Sequence, residues 1–133
     1  MVTFQKGLVM PKKTPKINQL LNDAVYVGKT STRKTAYYVF QTEKDYLLFT
    51  FKDAKYMSGN FNLVMADTVD RIYTAFRGKK RVTRADIESH PQMKKFVTGF
   101  EALQTLYILV AKKRASIDQR SLNKMTLYFN IKK

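Results

Sequence analysis

Two aromatic stretches constrain this chain most. Ala36-Tyr37-Tyr38-Val39-Phe40 and Tyr46-Leu47-Leu48-Phe49-Thr50-Phe51 are dense in residues that favour strands, and the polar run Gln41-Thr42-Glu43-Lys44-Asp45 separates them. Strand side chains alternate between two faces, and here both faces are apolar. A hairpin of this kind needs cover on both sides, or on one side together with a partner on the other. Ser58-Gly59-Asn60 then reads as a turn, and Phe61 to Val64 as a third strand.

Helical patterns flank the hairpin. In Lys16 to Val25 the apolar residues Ile17, Leu20, Leu21, Ala24 and Val25 follow the spacing of one helix face, with Pro15 at the entrance and Gly28 marking the exit. A polar basic stretch, Lys29 to Lys34, follows. Ala66 to Phe76 aligns Val69, Ile72, Tyr73 and Phe76, and Gly78 suits a C-terminal cap. Thr83-Arg84-Ala85-Asp86 comes close to a capping box and opens a short helix ending near Pro91. Thr98-Gly99-Phe100-Glu101 fits the same motif fully. It starts a helix through Phe100, Leu103, Leu106, Tyr107 and Val110 that ends near Lys112-Lys113-Arg114, where cations suit the helix dipole. Two strand-like segments close the chain, Arg114 to Asp118 and the alternating Met125 to Ile131, joined by the polar loop Gln119 to Lys124.

Charge narrows the function. The 133 residues carry 25 Lys and Arg against 10 Asp and Glu, a formal net charge of +15. A compact chain this basic repels itself, and a polyanion relieves the repulsion. Nucleic acid fits best, because phosphate contacts release counterions and supply most non-specific affinity. The longest purely apolar run, Leu106 to Ala111, is far short of the ~20 residues a spanning helix needs. Met1 to Met10 lacks the apolar block of a signal peptide. Cysteine is absent, which leaves neither a disulfide framework nor a thiolate zinc site. The expectation is a cytoplasmic protein without membrane partner or cofactor, nucleoid-associated in a bacterium or nuclear in a eukaryote.

From Ala66 onward the order is helix, short strand at Arg81-Val82, helix, helix, hairpin. In that order, and in its caps, the chain resembles the winged-helix family of DNA-binding domains over residues 66–133. With the patterns read above, the chain is expected to be an α+β protein of three parts. Residues 1–15 form a flexible basic arm with Lys6, Lys12 and Lys13, and residues 16–65 a helix and β-hairpin, three-stranded unit. That unit packs with a winged helix at 66–133. The resemblance implies double-stranded DNA as partner and a role as regulator or targeting component. The third helix would enter the major groove by its first turn. Lys94, Lys95 and Thr98 would meet phosphates, Gln104 an adenine, and Glu101 a cytosine. Arg120 and Lys124 would reach out from the wing, while Lys79, Lys80, Arg81 and Arg84 would flank the fold. The run Leu106 to Val110 leaves little of the third helix to face DNA. It fits deep burial with an exposed first turn, a dimer contact, or a winged helix used to dock a protein.

Two other functions compete. Tyr37, Tyr38, Phe40, Tyr46, Phe49 and Phe51 would make a stacking platform for RNA or single strands, if they are not ordinary core. The hairpin or the third helix would alternatively dock a protein within a nucleoprotein assembly, or a second copy of the chain. Catalysis lacks its parts, and no enzyme is expected. His90 is the only histidine and precedes Pro91 at a helix end. Glu43, Asp45 and Lys52 are the best carboxylate and lysine set for a metal nuclease, but position 50 is Thr50, not the acid of an acid-x-Lys strand. No phosphate-binding or dinucleotide glycine motif occurs, so neither catalytic nor metal-binding residues are assigned.

Overall fold

The computed structural model describes residues 23–33, 35–53, 58–95, 97–122 and 124–133. The expected basic arm, and the expected first helix up to residue 22, lie outside them. The chain is α+β. Strands β1 (Val25–Ser31), β2 (Ala36–Gln41), β3 (Asp45–Asp53) and β4 (Ser58–Met65) form an antiparallel sheet in sequence order. Helices α1 (Ala66–Phe76), α2 (Arg84–Ser89) and α3 (Gly99–Ala111) follow, then β5 (Ala115–Ile117), a 3-10 turn at Gln119–Ser121, and β6 (Phe129–Ile131).

The expected hairpin is the centre of the sheet. β2 and β3 pair with Phe40 opposite Leu47 and Tyr38 opposite Phe49. Thr42 closes the turn: its N–H donates to the Asp45 carbonyl at 2.8 Å, and its hydroxyl oxygen accepts from the Asp45 N–H at 3.1 Å. Both faces are covered, as the apolar pattern requires. Val39, Tyr46, Leu48 and Val64 join the main core against the helices, while Phe40, Leu47 and Phe49 form a second cluster on the opposite face. Leu47 and Phe49 are buried there, and at the outer edge Leu63 and Met65 remain exposed.

Two segments depart from the sequence reading. Val25 was expected to end a helix and Gly28 to mark its exit, yet Val25–Ser31 is a strand. Contact with α3 decides this. A Cβ on Gly28 would stand 2.6 Å from the Ala111 carbonyl oxygen, so only glycine lets the strand lie so close to the helix end. Two residues on, the buried Thr30 hydroxyl donates to the Tyr107 carbonyl at 2.6 Å. Ser58-Gly59-Asn60 was expected to turn, yet it extends β4, with Gly59 opposite Phe51 and Asn60 opposite Thr50. The long β3 offers backbone partners that outweigh the weak strand preference of these residues.

The helices keep their expected bounds. Val69, Ile72 and Phe76 of α1 are buried, and the α1 N-terminus is tied to the hairpin turn by Ala66 N–H donating to the Lys44 carbonyl at 2.8 Å. Capping boxes start both later helices, Thr83 with Asp86 and Thr98 with Glu101. α3 is the hub. It packs on the sheet on one side and on α1, α2 and β5 on the other. Ala102, Leu106, Ile108 and Leu109 are buried, as a helix apolar all round must be. The units expected at 16–65 and 66–133 therefore share one core, with β4 running directly into α1.

Thr105 is out of place in that core. It is fully buried in α3, and among the described residues its hydroxyl has no hydrogen-bond partner. Valine has nearly the same shape without the unmet polar group. Thr105→Val should raise unfolding free energy by about 1 kcal/mol in chemical denaturation; a loss of that size would mean that the hydroxyl is satisfied.

The closing hairpin is shorter than its alternation implied. Only Phe129–Ile131 pairs with Ala115–Ile117, and Met125 is fully exposed in the connection. Val82 pairs with Phe129 on the other side of β6, each N–H donating to the other's carbonyl at 2.8 Å. β6 thus lies between Val82 and β5.

Candidate nucleic-acid interface

Antiparallel pairing around β6 sets three distant chain segments side by side. The Lys79 carbonyl accepts from the Ile131 N–H at 2.8 Å, and the Arg114 carbonyl from the Lys132 N–H at 2.9 Å. Gly78, left-handed at φ 82°, caps α1 and donates to the Ile131 and Lys132 carbonyls at 3.1 and 3.2 Å. Neighbouring strands lie about 4.8 Å apart. Lys79-Lys80, Lys132-Lys133 and Lys113-Arg114 therefore end at one edge of the arrangement, within about 10 Å of backbone. All six are exposed, as is the nearby Arg77. None of the seven takes part in an ion pair with a described residue. Aromatic rings order some of them: Arg114 and Arg77 stand 5.1 and 5.9 Å from the Tyr73 ring centre, and Lys79 stands 5.1 Å from that of Phe76. Lys112 turns away, donating to the Tyr46 hydroxyl at 2.5 Å.

Lys113 holds a costly backbone. Its φ is 63°, a left-handed conformation that favours glycine. It occupies the first position past the α3 cap, where its N–H donates to the Val110 carbonyl and the Arg114 N–H to the Leu109 carbonyl, both bonds of a Schellman motif. Lys113→Gly should stabilise the fold by about 1 kcal/mol in a thermal melt while weakening polyanion binding. Equal binding with higher stability would show that the Lys113 charge is idle.

At the opposite end of the three strands, Arg81 and Arg120 meet Asp118. Arg120 donates from Nε to Asp118 Oδ1 at 3.0 Å and from Nη2 to Oδ2 at 2.7 Å, and Arg81 Nη1 lies 3.5 Å from the same Oδ2. These contacts, Arg120 foremost, hold the Asp118 carboxyl down at about 2. Its stabilising effect is thus complete above the ordinary carboxylate value near ~3.9 and is lost as pH falls through about 2. Arg81 also stacks on Tyr128, 4.4 Å from the ring centre, and its backbone is left-handed at φ 56°.

The remaining sequence candidates divide. Arg84, Lys94, Lys95 and Lys124 are exposed, but no hydrogen-bonded pairing joins them to the cluster. Gln104, assigned to an adenine, is only 5% exposed, which corrects that assignment: it faces into the fold because α3 is enclosed on both sides. Thr98 and Glu101 are occupied with each other, the Thr98 N–H donating to Glu101 Oε1 at 3.1 Å and Thr98 Oγ1 accepting from the Glu101 N–H at 3.1 Å. The Glu101 carboxylate also fills the helix end that would otherwise attract phosphate.

The stacking platform is corrected at Phe40, Tyr46 and Phe49, while Tyr38 is half-buried. Tyr46 and Phe49 are 1% exposed and Phe40 is buried, while Tyr37 lies half-buried, stacked on Tyr107 at 4.2 Å. Burial, with Tyr37 as neighbour, pushes the Tyr107 phenol well above its ordinary range. The Phe51 side chain lies outside the described residues. His90 ends α2, its Nδ1 accepting from the Gln92 N–H at 3.1 Å. Asp45 opens β3 and Glu43 lies in the turn before it, while the Lys52 side chain is outside the described residues. Among the described residues no three His, Asp or Glu side chains converge as metal ligands, and no helix is long and apolar enough to cross a membrane.

Sequence reasoning gave the cations of 79–81 and 112–114 separate, local roles and overlooked Arg77, Lys132 and Lys133. Their convergence depends on pairing around β6, for which the alternation of residues 125–131 was the one available signal. Comparison with models of protein families, with characterised proteins and with solved structures gives no match to this chain.

Proposed function

We propose that the chain binds double-stranded DNA through the phosphate backbone, without reading bases from α3. The observation that carries this reading is the edge where Lys79-Lys80, Lys113-Arg114 and Lys132-Lys133 meet with no acidic partner among the described residues. A duplex presents one charge per ~1.7 Å of axis and rewards cations clustered on a rigid support. The winged-helix reading of residues 66–133 is supported by the order α1, Val82, α2, α3, β5, β6 and by β6 lying between Val82 and β5. Burial of Gln104 and self-capping of Thr98 favour positioning on the backbone over direct readout. Burial of Tyr46, Phe40 and Phe49 takes half of the six proposed stacking residues out of reach of a single strand.

Fluorescence anisotropy tests the reading with labelled duplex DNA, single-stranded DNA and duplex RNA from about 50 to 500 mM salt. Tightest binding to duplex DNA, with a log–log salt slope of about −5, is expected for roughly six phosphate contacts. Absence of duplex binding near ~150 mM salt, or tighter binding to single strands, would overturn it.

A further inference from the structure

Asp118 lies buried between two exposed arginines, and the geometry is more specific than a surface ion pair needs. The Asp118 side chain is 7% exposed, against 77% for Arg120 and 52% for Arg81. Arg120 gives the carboxylate two hydrogen bonds and Arg81 pairs with it at 3.5 Å, and a guanidinium carries five donors. Most donors on both therefore remain for a ligand, and two cations against one anion leave a net positive charge. Four contacts fix the pair. Arg120 is held by its fork on Asp118; Arg81 is held by Asp118, by the Tyr128 ring, and by its own N–H donating to Asn130 Oδ1 at 3.0 Å. The last contact holds Arg81 in a backbone conformation that side chains rarely adopt.

We propose that Arg81 and Arg120 clamp one phosphodiester of the bound nucleic acid, with Asp118 as the positioning residue that orients both guanidiniums. The proposal rests on the DNA-binding reading and adds a defined contact to it. Arg114 and Asp118 stand four residues apart on one strand path, about 13 Å. A single duplex lying along the strands meets both the lysine-rich edge and the clamp within one helical turn of about 34 Å. Planar guanidiniums suit phosphate oxygens through paired hydrogen bonds, which a lysine cannot supply.

Asp118→Asn separates this from a simple charge effect, because the two predict opposite signs. Asparagine retains an Oδ1 to accept the Arg120 backbone N–H, the 3.0 Å contact that caps the 3-10 turn, so the fold is kept. It removes the charge that gathers the arginines. Duplex affinity at ~150 mM salt should fall about five-fold although the protein gains a unit of positive charge. Affinity that stays level or rises overturns the clamp. Arg120→Lys keeps the charge and loses the fork, and should weaken binding by a similar factor, whereas unchanged affinity overturns the proposal. A readout free of DNA separates the two readings. In NMR, the Arg81 and Arg120 Nε–Hε signals of the wild type should shift with inorganic phosphate, and those of Asp118→Asn should not. If they shift while no duplex binds, the DNA reading fails and the pair is a phosphate site for another ligand; if they do not shift in the wild type, the clamp fails whatever the duplex result.

Discussion

Replacing Lys79, Lys113, Arg114 and Lys132 together by alanine should weaken duplex binding on the order of 10²–10³-fold near 0.15 M salt. Each phosphate contact contributes about 0.9 to the log–log salt slope, so losing four should make the slope shallower by about 3.6. Extrapolated toward 1 M salt, wild type and variant should converge, since the lost part is counterion release. The fold should persist, because all four side chains are exposed and none forms an ion pair with a described residue. Replacing four cations elsewhere, Arg84, Lys94, Lys95 and Lys124, removes the same net charge. The proposed interface requires that this control lose far less affinity. Equal losses in the two variants would mean that total charge, not its arrangement, governs binding.

The second large effect concerns stability. Phe129→Ala should cost about 3–5 kcal/mol and lower the melting temperature on the order of 10–20 °C. Phe129 is fully buried at the centre of the three-stranded arrangement, bonded through its backbone to Val82, opposite Ile117 in β5, with its ring 6.0 Å from that of Tyr107. The cavity opens where strands and α3 meet, and the surrounding backbone cannot collapse into it without losing the Val82 pairing. That pairing also aligns Lys79 with Lys132, so the folded fraction of the variant should bind duplex less tightly at low temperature. Chemical denaturation gives the first quantity and anisotropy below the melting range the second. A loss under 1 kcal/mol would show that the closing strand packs loosely and that the cation alignment depends on something else.

Lys79-Lys80 and Lys112-Lys113-Arg114 are adjacent cations in sequence, yet their fates differ. Lys112 bonds inward to the Tyr46 hydroxyl, whereas Lys113 is turned outward by the left-handed step that ends α3. A run of basic residues therefore does not translate into an equal run of phosphate contacts.

Sequence alone determined what depends on neighbours along the chain. Two strand-favouring apolar runs around a polar stretch placed the hairpin, and Thr42 is near enough in sequence to close its turn. Thr83 with Asp86 and Thr98 with Glu101 fixed two helix starts, because a capping box involves residues only three apart. The apolar run in α3 admitted burial, a dimer contact or a docked protein, and the fold buries it. What the tertiary structure decided was everything that depends on distant partners. β1 is a strand because Gly28 and Thr30 meet Ala111 and Tyr107, more than seventy positions away. Ser58-Gly59-Asn60 is extended because β3 offers open backbone groups. Gln104 lost its place at the candidate site because α3 is enclosed by the sheet and by the other helices and β5. The basic edge and the Arg81–Asp118–Arg120 group arise only when β6 pairs on both sides. Local propensity and capping energies are set by a few consecutive residues, whereas strand pairing and enclosure are cooperative choices of the whole chain.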